Sequence, residues 1–190
     1  DDILIWNQPS KSACKINIQR ARDGFYVAPY AIEALSLGAY PPAKSPTAVR
    51  LTTGGFINMI AKHNWQFSYQ YVYQDNETSV WSPLSKLIAA KLLAGLLYEF
   101  DNAIDVTILI ESQLIGIIKS VNIAYRQGNK GDYTIWEIIK NPTLTSYTKR
   151  FMNSGRAEVV GKSDEIRLQD AIPPKVNALE IIDSRVFLPL

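Results

Sequence analysis

The sequence predicts a mainly β protein, an antiparallel β-sandwich with N- and C-terminal extensions and one or two short helices. Two observations predict this fold. Aromatic residues occupy every second position from Trp65 to Tyr73, which is the spacing of one face of a β-strand. Elsewhere, short apolar runs are separated by polar turn residues at intervals of about ten residues, as in two-sheet sandwiches.

The aromatic stretch is predicted to form the centre of the core. Its side chains alternate between an aromatic face, made of Trp65, Phe67, Tyr69, Tyr71 and Tyr73, and a polar face, made of Gln66, Ser68 and Gln70. Residues 74–79 are turn formers, so a long hairpin is expected, returning through residues 80–83. Tyr73 and Trp81 lie near the hairpin tip, and we expect both to be partly exposed.

The remaining chain carries further strand signals, with apolar and β-branched residues between turns. Strands are predicted over residues 3–6, 15–18, 25–30, 48–51, 86–90, 104–110, 121–125, 133–140, 146–152 and 157–161, and the last two are expected to pair with each other. Short helices are predicted over residues 31–37 and 175–185, the second from the helical spacing of Val176, Leu179 and Ile182. Residues 92–98 are expected to form a short helix or a loop.

Three regions follow from the position of the prolines. Pro41, Pro42 and Pro46 disfavour both helix interiors and central strands. We therefore predict an N-terminal extension with the start of a linker (1–40), a sandwich (41–161) and a C-terminal extension with a short helix (162–190). The apolar end, including Phe187 and Leu188, is expected to be covered by a neighbour or to continue into further chain, and the alternative is that it folds back onto its own core. Because the sequence starts with aspartate, a processed chain or an excised piece is expected.

Composition argues against two classes of partner. The net charge is +2 over 190 residues, and the lysines and arginines are scattered, so no basic face for nucleic acid is expected. The most apolar run, residues 87–97, is about half the length needed to cross a bilayer and includes Lys91. No membrane partner is therefore predicted.

The sequence offers little for catalysis. Cys14 is the only cysteine and His63 the only histidine, so a thiolate metal cage or a histidine cluster cannot be built within one chain. Gly155 and the Gly161-Lys162-Ser163 segment have one residue too many between the glycines for a phosphate-binding loop. We predict no enzyme activity, no catalytic or metal-binding residues and no cofactor.

Two motifs give the chain a resemblance to known families. The run from Trp65 to Asp75, followed by Ser79-Val-Trp-Ser-Pro-Leu-Ser85, resembles fibronectin type III-like modules. The same stretch is similar to a segment of the large tail (muzzle-type) proteins of crAss-like and other Bacteroidota tailed phages, F-x-Y-R-Y-x-Y-x-D-G-E-x-S-x-x-S-P. Gln70 replaces the usual arginine and Asn76 the usual glycine, and asparagine tolerates the left-handed turn geometry of a glycine position.

Two further pieces are similar to those tail proteins, residues 121–126 leading to Trp136, and residues 170–185. The resemblance implies a fibronectin type III/immunoglobulin-like sandwich and a structural role in a phage tail, with no enzymatic residues. Expected partners are other virion chains or copies of the same chain. The interaction surface is expected to include Tyr73, Trp81, Phe187 and Leu188. The alternative is a secreted or cell-surface bacterial module that binds a glycan, a protein or another host-surface ligand.

Overall fold

The protein is described by a computed structural model. It describes residues 3–6, 13–24, 26, 35, 39–53, 60–90, 101–128, 132–153, 158–159, 180–182 and 185–187. The chain divides into two compact units. One comprises both ends of the chain, Asp1–Tyr40 and Gln169–Leu190, and the other comprises Pro41–Leu168.

The unit made from the chain ends contains two small antiparallel strand pairs. Strand β1 (Ile3–Trp6) pairs with β2 (Cys14–Asn17), and helix α1 (Ile18–Arg22) follows directly. The Asn17 side chain accepts a hydrogen bond from the Arg20 N–H and caps this helix. Strand β10 (Glu180–Ile182) pairs with β11 (Arg185–Phe187).

The β10–β11 pair corrects the prediction of a helix over residues 175–185. Three apolar residues at helical spacing are too few to separate a helix from a short strand pair, and the described residues of this segment are extended. The predicted strand over 25–30 and the predicted helices over 31–37 and 92–98 lie outside the described residues, apart from isolated positions.

The larger unit is the predicted antiparallel sandwich, built from two sheets. Its strands are β3 (Thr47–Leu51), β4 (Trp65–Tyr73), β5 (Ala103–Leu109), β6 (Ile118–Gln127), β7 (Thr134–Lys140), β8 (Ser146–Phe151) and β9 (Glu158–Val159). The first sheet has the order β3-β5-β8 and the second the order β4-β6-β7-β9. A single 3₁₀ turn (Ser112–Leu114) precedes β6.

The aromatic face of β4 forms the core, as predicted. Trp65, Phe67, Tyr69 and Tyr71 are at most 1% exposed. From the opposite sheet, Phe151 of β8 packs into this face, and its ring lies 5.1 Å from Trp65 and 5.4 Å from Phe67 between centroids. These contacts hold the two sheets face to face.

Two expectations about strand pairing are wrong. Residues 158–159 were expected to pair with the strand formed by 146–152, but β9 pairs with β7, and β8 pairs with β5. Residues 80–83 do not form a regular return strand next to β4. They belong to an extended segment that follows the β4 edge with a different repeat, which is described below.

The turns use the residues that the sequence indicated. Asn76 adopts a φ of 65°, so it does occupy a left-handed position. Gly128, at the β6–β7 connection, has a φ of 71°, a backbone conformation that costs glycine nothing. Among the described residues, no helix is long and apolar enough to cross a membrane.

Candidate interaction surface

Residues 79–88 run along the free edge of β4, and we call them the serine strap. The strap binds β4 through every third of its residues, Ser79, Ser82, Ser85 and Ile88. Their N–H groups donate to the carbonyls of Tyr71, Tyr69, Phe67 and Trp65, at 2.8 to 2.9 Å. Three strap residues thus match two residues of β4, which is why the strap is not a regular strand.

Each of the three serines makes the same second bond. The serine Oγ accepts a hydrogen bond from the backbone N–H of a β4 residue. The carbonyl of that same β4 residue accepts the hydrogen bond from the serine N–H. Ser79, Ser82 and Ser85 accept from Tyr71, Tyr69 and Phe67 at 3.0, 3.1 and 3.0 Å. A hydroxyl therefore replaces the backbone carbonyl that a regular neighbouring strand would supply.

The polar face of β4 supplies a third set of bonds. Gln66, Ser68 and Gln70 donate to the carbonyls of Ser85, Ser82 and Ser79, at 3.5, 2.9 and 3.2 Å. This explains why Ser68 is fully buried and Gln70 only 8% exposed although both lie on the outer face of the sheet. The strap covers the edge of β4 and satisfies its polar groups, so another chain cannot pair with this edge.

An aromatic stack ties the strap to the rest of the sheet, and we call it the outer-face stack. The rings of Trp81 and Tyr133 are nearly parallel, at 11°, with centroids 5.8 Å apart. The Arg126 guanidinium lies 5.6 Å from the centre of the Tyr133 ring, a cation–π contact. Arg126 also donates through Nε and Nη2 to Gln66 Oε1, at 3.0 and 2.6 Å.

The outer-face stack joins four segments of the sandwich. Trp81 belongs to the strap, Tyr133 precedes β7, Arg126 lies on β6 and Gln66 on β4. Trp81, Tyr133 and Arg126 remain half-buried. The Trp81 indole N–H is buried and has no hydrogen-bond acceptor among the described residues.

The four residues predicted for the interaction surface do not form one site. Trp81 is half-buried in the outer-face stack, as expected. Tyr73 is only 6% exposed, so the expectation that it is partly exposed is wrong. Its side chain follows the alternation of β4 into the core, where its ring lies 6.4 Å from that of Tyr71. Phe187 lies on β11, and Leu188 is outside the described residues.

The tyrosines of β4 bond across the sandwich. The hydroxyls of Tyr69 and Tyr71 both donate to the Leu109 carbonyl of β5, at 2.8 and 3.3 Å. Burial raises the pKa of Tyr69 to about 12 and raises that of Tyr71 further, and the negative charge of Glu111 contributes to both shifts. Both phenols therefore act as neutral structural donors.

The remaining candidates for chemistry have structural surroundings. His63 is half-buried, and its ring meets that of Trp65 edge to face, at 6.1 Å. Cys14 is half-buried on β2 and carries a free thiol. Among the described residues, no group of three His, Cys, Asp or Glu side chains could hold a metal ion. The segment with Gly155 and Gly161 lies outside them.

Arg50 organises the end of the sandwich where β4 begins. Its guanidinium donates to the carbonyls of Ile60, His63 and Ala89, at 3.1, 3.1 and 2.6 Å. Trp65 Nε1 donates to the same Ile60 carbonyl, at 2.8 Å. One arginine of the first sheet thus fixes the loop before β4 and the end of the strap.

Sequence reasoning found Trp81 and missed Tyr133, Arg126 and the strap. The signal for the strap was the spacing of Ser79, Ser82 and Ser85, a repeat of three that fits neither a strand nor a helix. Compared with protein families and curated proteins, the chain matches no family model and no curated protein.

Proposed function

We propose that this chain is a non-enzymatic structural and assembly module, part of a larger phage tail protein, and that it works in the virion with other virion chains or with copies of itself. One observation carries this proposal. The main segment that resembles the tail proteins, residues 67–83, builds the core of the sandwich and the strap along its edge. Phe67, Tyr69 and Tyr71 fill the core, and Ser79 and Ser82 attach the strap.

The bonds of these residues favour a mechanical role over a chemical one. Each strap serine uses its Oγ to accept a β4 N–H and to donate to the next carbonyl, for example from Ser82 to Pro83 at 3.0 Å. A hydroxyl held in this way donates its proton to a backbone carbonyl, which is not a general base that could activate it as a nucleophile. The motif therefore supports a fibronectin type III-like spacer whose free edge is closed.

The proposal is tested by the genes that flank the coding sequence and by the presence of the protein in purified virions. We expect genes for portal, capsid and other tail proteins beside the coding sequence, and we expect mass spectrometry of purified virions to detect its peptides. Flanking genes for secretion or surface polysaccharide, together with absence of the peptides from virions, would reject the virion assignment.

A second candidate function is glycan binding by a secreted or cell-surface module. The outer-face stack favours it, since Trp81 is only half-buried and its aromatic ring suits stacking on a sugar ring. Binding to a glycan array should then be lost in Trp81→Ala and retained in Trp6→Ala, which alters a half-buried tryptophan of the other unit. Equal binding by both variants would reject this function.

A further inference from the structure

Arg126 is a cation that the sandwich holds in place without neutralising it. Its guanidinium donates to the Gln66 side-chain oxygen and lies over the Tyr133 ring, and both of these groups are uncharged. Arg150 differs, because it forms an ion pair with Asp105. In the part of the chain that the structure describes, no ion pair joins Arg126 to a carboxylate.

The contacts of Arg126 leave one edge of its guanidinium open. Arginine presents its donors on a side edge, made of Nε and Nη2, and on an end edge, made of Nη1 and Nη2. Gln66 Oε1 occupies the side edge, at 3.0 and 2.6 Å. Nη1 makes no hydrogen bond to the described residues and is not among their buried atoms that lack a partner, so it is accessible to solvent. The end edge can therefore receive a planar anion through two parallel hydrogen bonds.

The position of Arg126 is set by two neighbouring side chains. Gln66 lies directly opposite Arg126 in the pairing of β4 with β6, and its Nε2 donates to the Ser85 carbonyl of the strap, at 3.5 Å. Tyr133 supplies the cation–π contact, at 5.6 Å. A side chain that is already held in place loses little rotamer freedom when a ligand binds.

Aromatic surface adjoins this cation. The half-buried Trp81 ring stacks on Tyr133, the same ring that the guanidinium contacts. Ligand sites combine aromatic surface with a few oriented polar groups. A uronic acid complements both features, since C–H groups line a face of its ring and its carboxylate is planar. A neutral sugar would leave the end edge of the guanidinium to water.

We propose that the outer-face stack binds an acidic glycan, with the carboxylate of a uronic acid on the Nη1 and Nη2 edge of Arg126 and the sugar against the aromatic side chains. This inference deepens the second candidate function, glycan binding, and rests on it. Charge complementarity identifies the ligand class, because a fixed guanidinium without an anionic partner binds a carboxylate with a planar geometry that lysine cannot match.

A glycan array in which each uronate oligosaccharide is printed beside its methyl ester tests the proposal with the full chain. The ester keeps the sugar rings and removes the charge. We expect the acid to bind about tenfold more tightly than the ester, because the ester cannot form the charge-assisted pair. Arg126→Gln should abolish this preference, and the matched control Arg150→Gln, on β8 of the other sheet, should keep it.

Two further variants keep the test decisive if Arg126→Gln folds poorly. Arg126→Lys retains the charge but loses the planar fork, so it should bind the acid more weakly than wild type does. Gln66→Leu removes the acceptor that orients the guanidinium, and it should weaken binding to the acid more than binding to the ester.

The outcomes separate the ligand class from glycan binding itself. Equal binding of acid and ester, or an acid preference that survives Arg126→Gln, would overturn the inference while glycan binding stands. An oligoglutamate spot that binds as strongly as the uronates would also overturn it, since the sugar would then contribute nothing. Binding to no glycan on the array would reject the inference together with the second candidate function. The flanking genes and the virion peptides decide the virion assignment separately.

Discussion

Phe151 is the side chain through which the first sheet enters the aromatic core. It is 2% exposed, and its ring contacts those of Trp65, Phe67, Tyr125 and Trp136, with centroids 4.7 to 5.4 Å away. Those four rings lie on β4, β6 and β7, which all belong to the second sheet. Phe151 therefore carries the aromatic contacts of the first sheet with this cluster, beside the buried Ile104, Val106 and Ile108 of β5.

Replacing Phe151 with alanine should destabilise the sandwich strongly. Loss of a buried phenylalanine, with the cavity left among rigid rings, costs about 3 to 5 kcal/mol. Chemical denaturation of Phe151→Ala and of Leu144→Ala, which removes an exposed side chain, measures the difference. An effect of Phe151→Ala no larger than that of the control would contradict the packing described here.

The tyrosines of β4 give the fold a pH dependence in the alkaline range. Burial raises the pKa of Tyr69 to about 12, whereas an unfolded tyrosine titrates near about 10. Between these values the folded chain keeps a proton that the unfolded chain loses. Stability should therefore be constant below the unfolded pKa and should fall as pH rises through the folded pKa.

Denaturation at a series of alkaline pH values tests this, with Tyr69→Phe and Tyr71→Phe combined as the comparison. The double variant should show a shallower loss of stability with pH.

Tyr147 shows the opposite pKa shift. Burial raises its pKa, but the Leu144 and Thr143 N–H groups, which donate to its hydroxyl, outweigh this effect and lower the pKa. Tyr147→Phe should remove from the ultraviolet absorbance titration a tyrosine that ionises below the usual tyrosine pKa.

At the scale of elements, the strap and β4 act as one bonded pair. Between Phe67 and Tyr71, the backbone N–H groups that β4 turns towards its free edge donate to serine Oγ atoms, in a repeat that covers Ser79 to Ser85. Stability of this element depends on the Oγ atoms, because no backbone carbonyl replaces them.

Ser82→Ala should cost about 1 to 3 kcal/mol, since it leaves the buried Tyr69 N–H without its acceptor. The control is Ser146→Ala at an exposed position of β8, where we expect a change within about 0.5 kcal/mol. Amide hydrogen exchange gives the local readout: Tyr69 should lose protection in Ser82→Ala, while Ile123 on β6 should keep it. Unchanged protection of Tyr69 would argue against this bond.

The strands that could be predicted from the sequence were those with a period of two. Trp65 to Tyr73 alternates over nine residues, and only a half-buried strand satisfies that pattern. The strap could not be predicted in the same way, because its serines and Pro83 are also turn residues. The helix predicted over residues 175–185 is wrong for a related reason, since a few apolar residues fit the spacing of a helix and of a strand equally well.

The interaction surface could be predicted only where exposure follows from local sequence. Trp81 lies in a segment that must leave the core after the turn at Asn76. Tyr133 and Arg126 lie beside Trp81 because β4, β6 and β7 are neighbours in the sheet. Sequence spacing carries no information about that strand order. Tyr73 lies next to the turn, but its position in the alternation of β4 places its side chain in the core.

At the scale of the whole molecule, the sandwich is an insertion between two segments of another unit. Residues 41–168 form one compact unit and contain β3 to β9, while the chain ends on either side belong together. The sandwich has its own core, centred on β4 and Phe151. Its folding should therefore not depend on the segments that flank it.

A fragment of residues 41–168 should fold on its own. We expect a cooperative unfolding transition and the near-ultraviolet dichroism of packed tryptophans, with stability close to that of the sandwich in the full chain. Phe151→Ala in the fragment should lower stability as it does in the full chain. A fragment with native secondary structure but no fixed aromatic signal would show that the flanking unit is needed.

The mismatch between the strap and β4 limits which changes in length this protein can accept. Three residues of one segment correspond to two of the other between Ser79 and Ser85. A substitution at residues 83 or 84 leaves all three serines in phase, whereas deletion of one residue there moves Ser85 past Phe67 and away from its N–H. Homologous sequences should therefore vary freely in identity between the serines and hardly at all in their number.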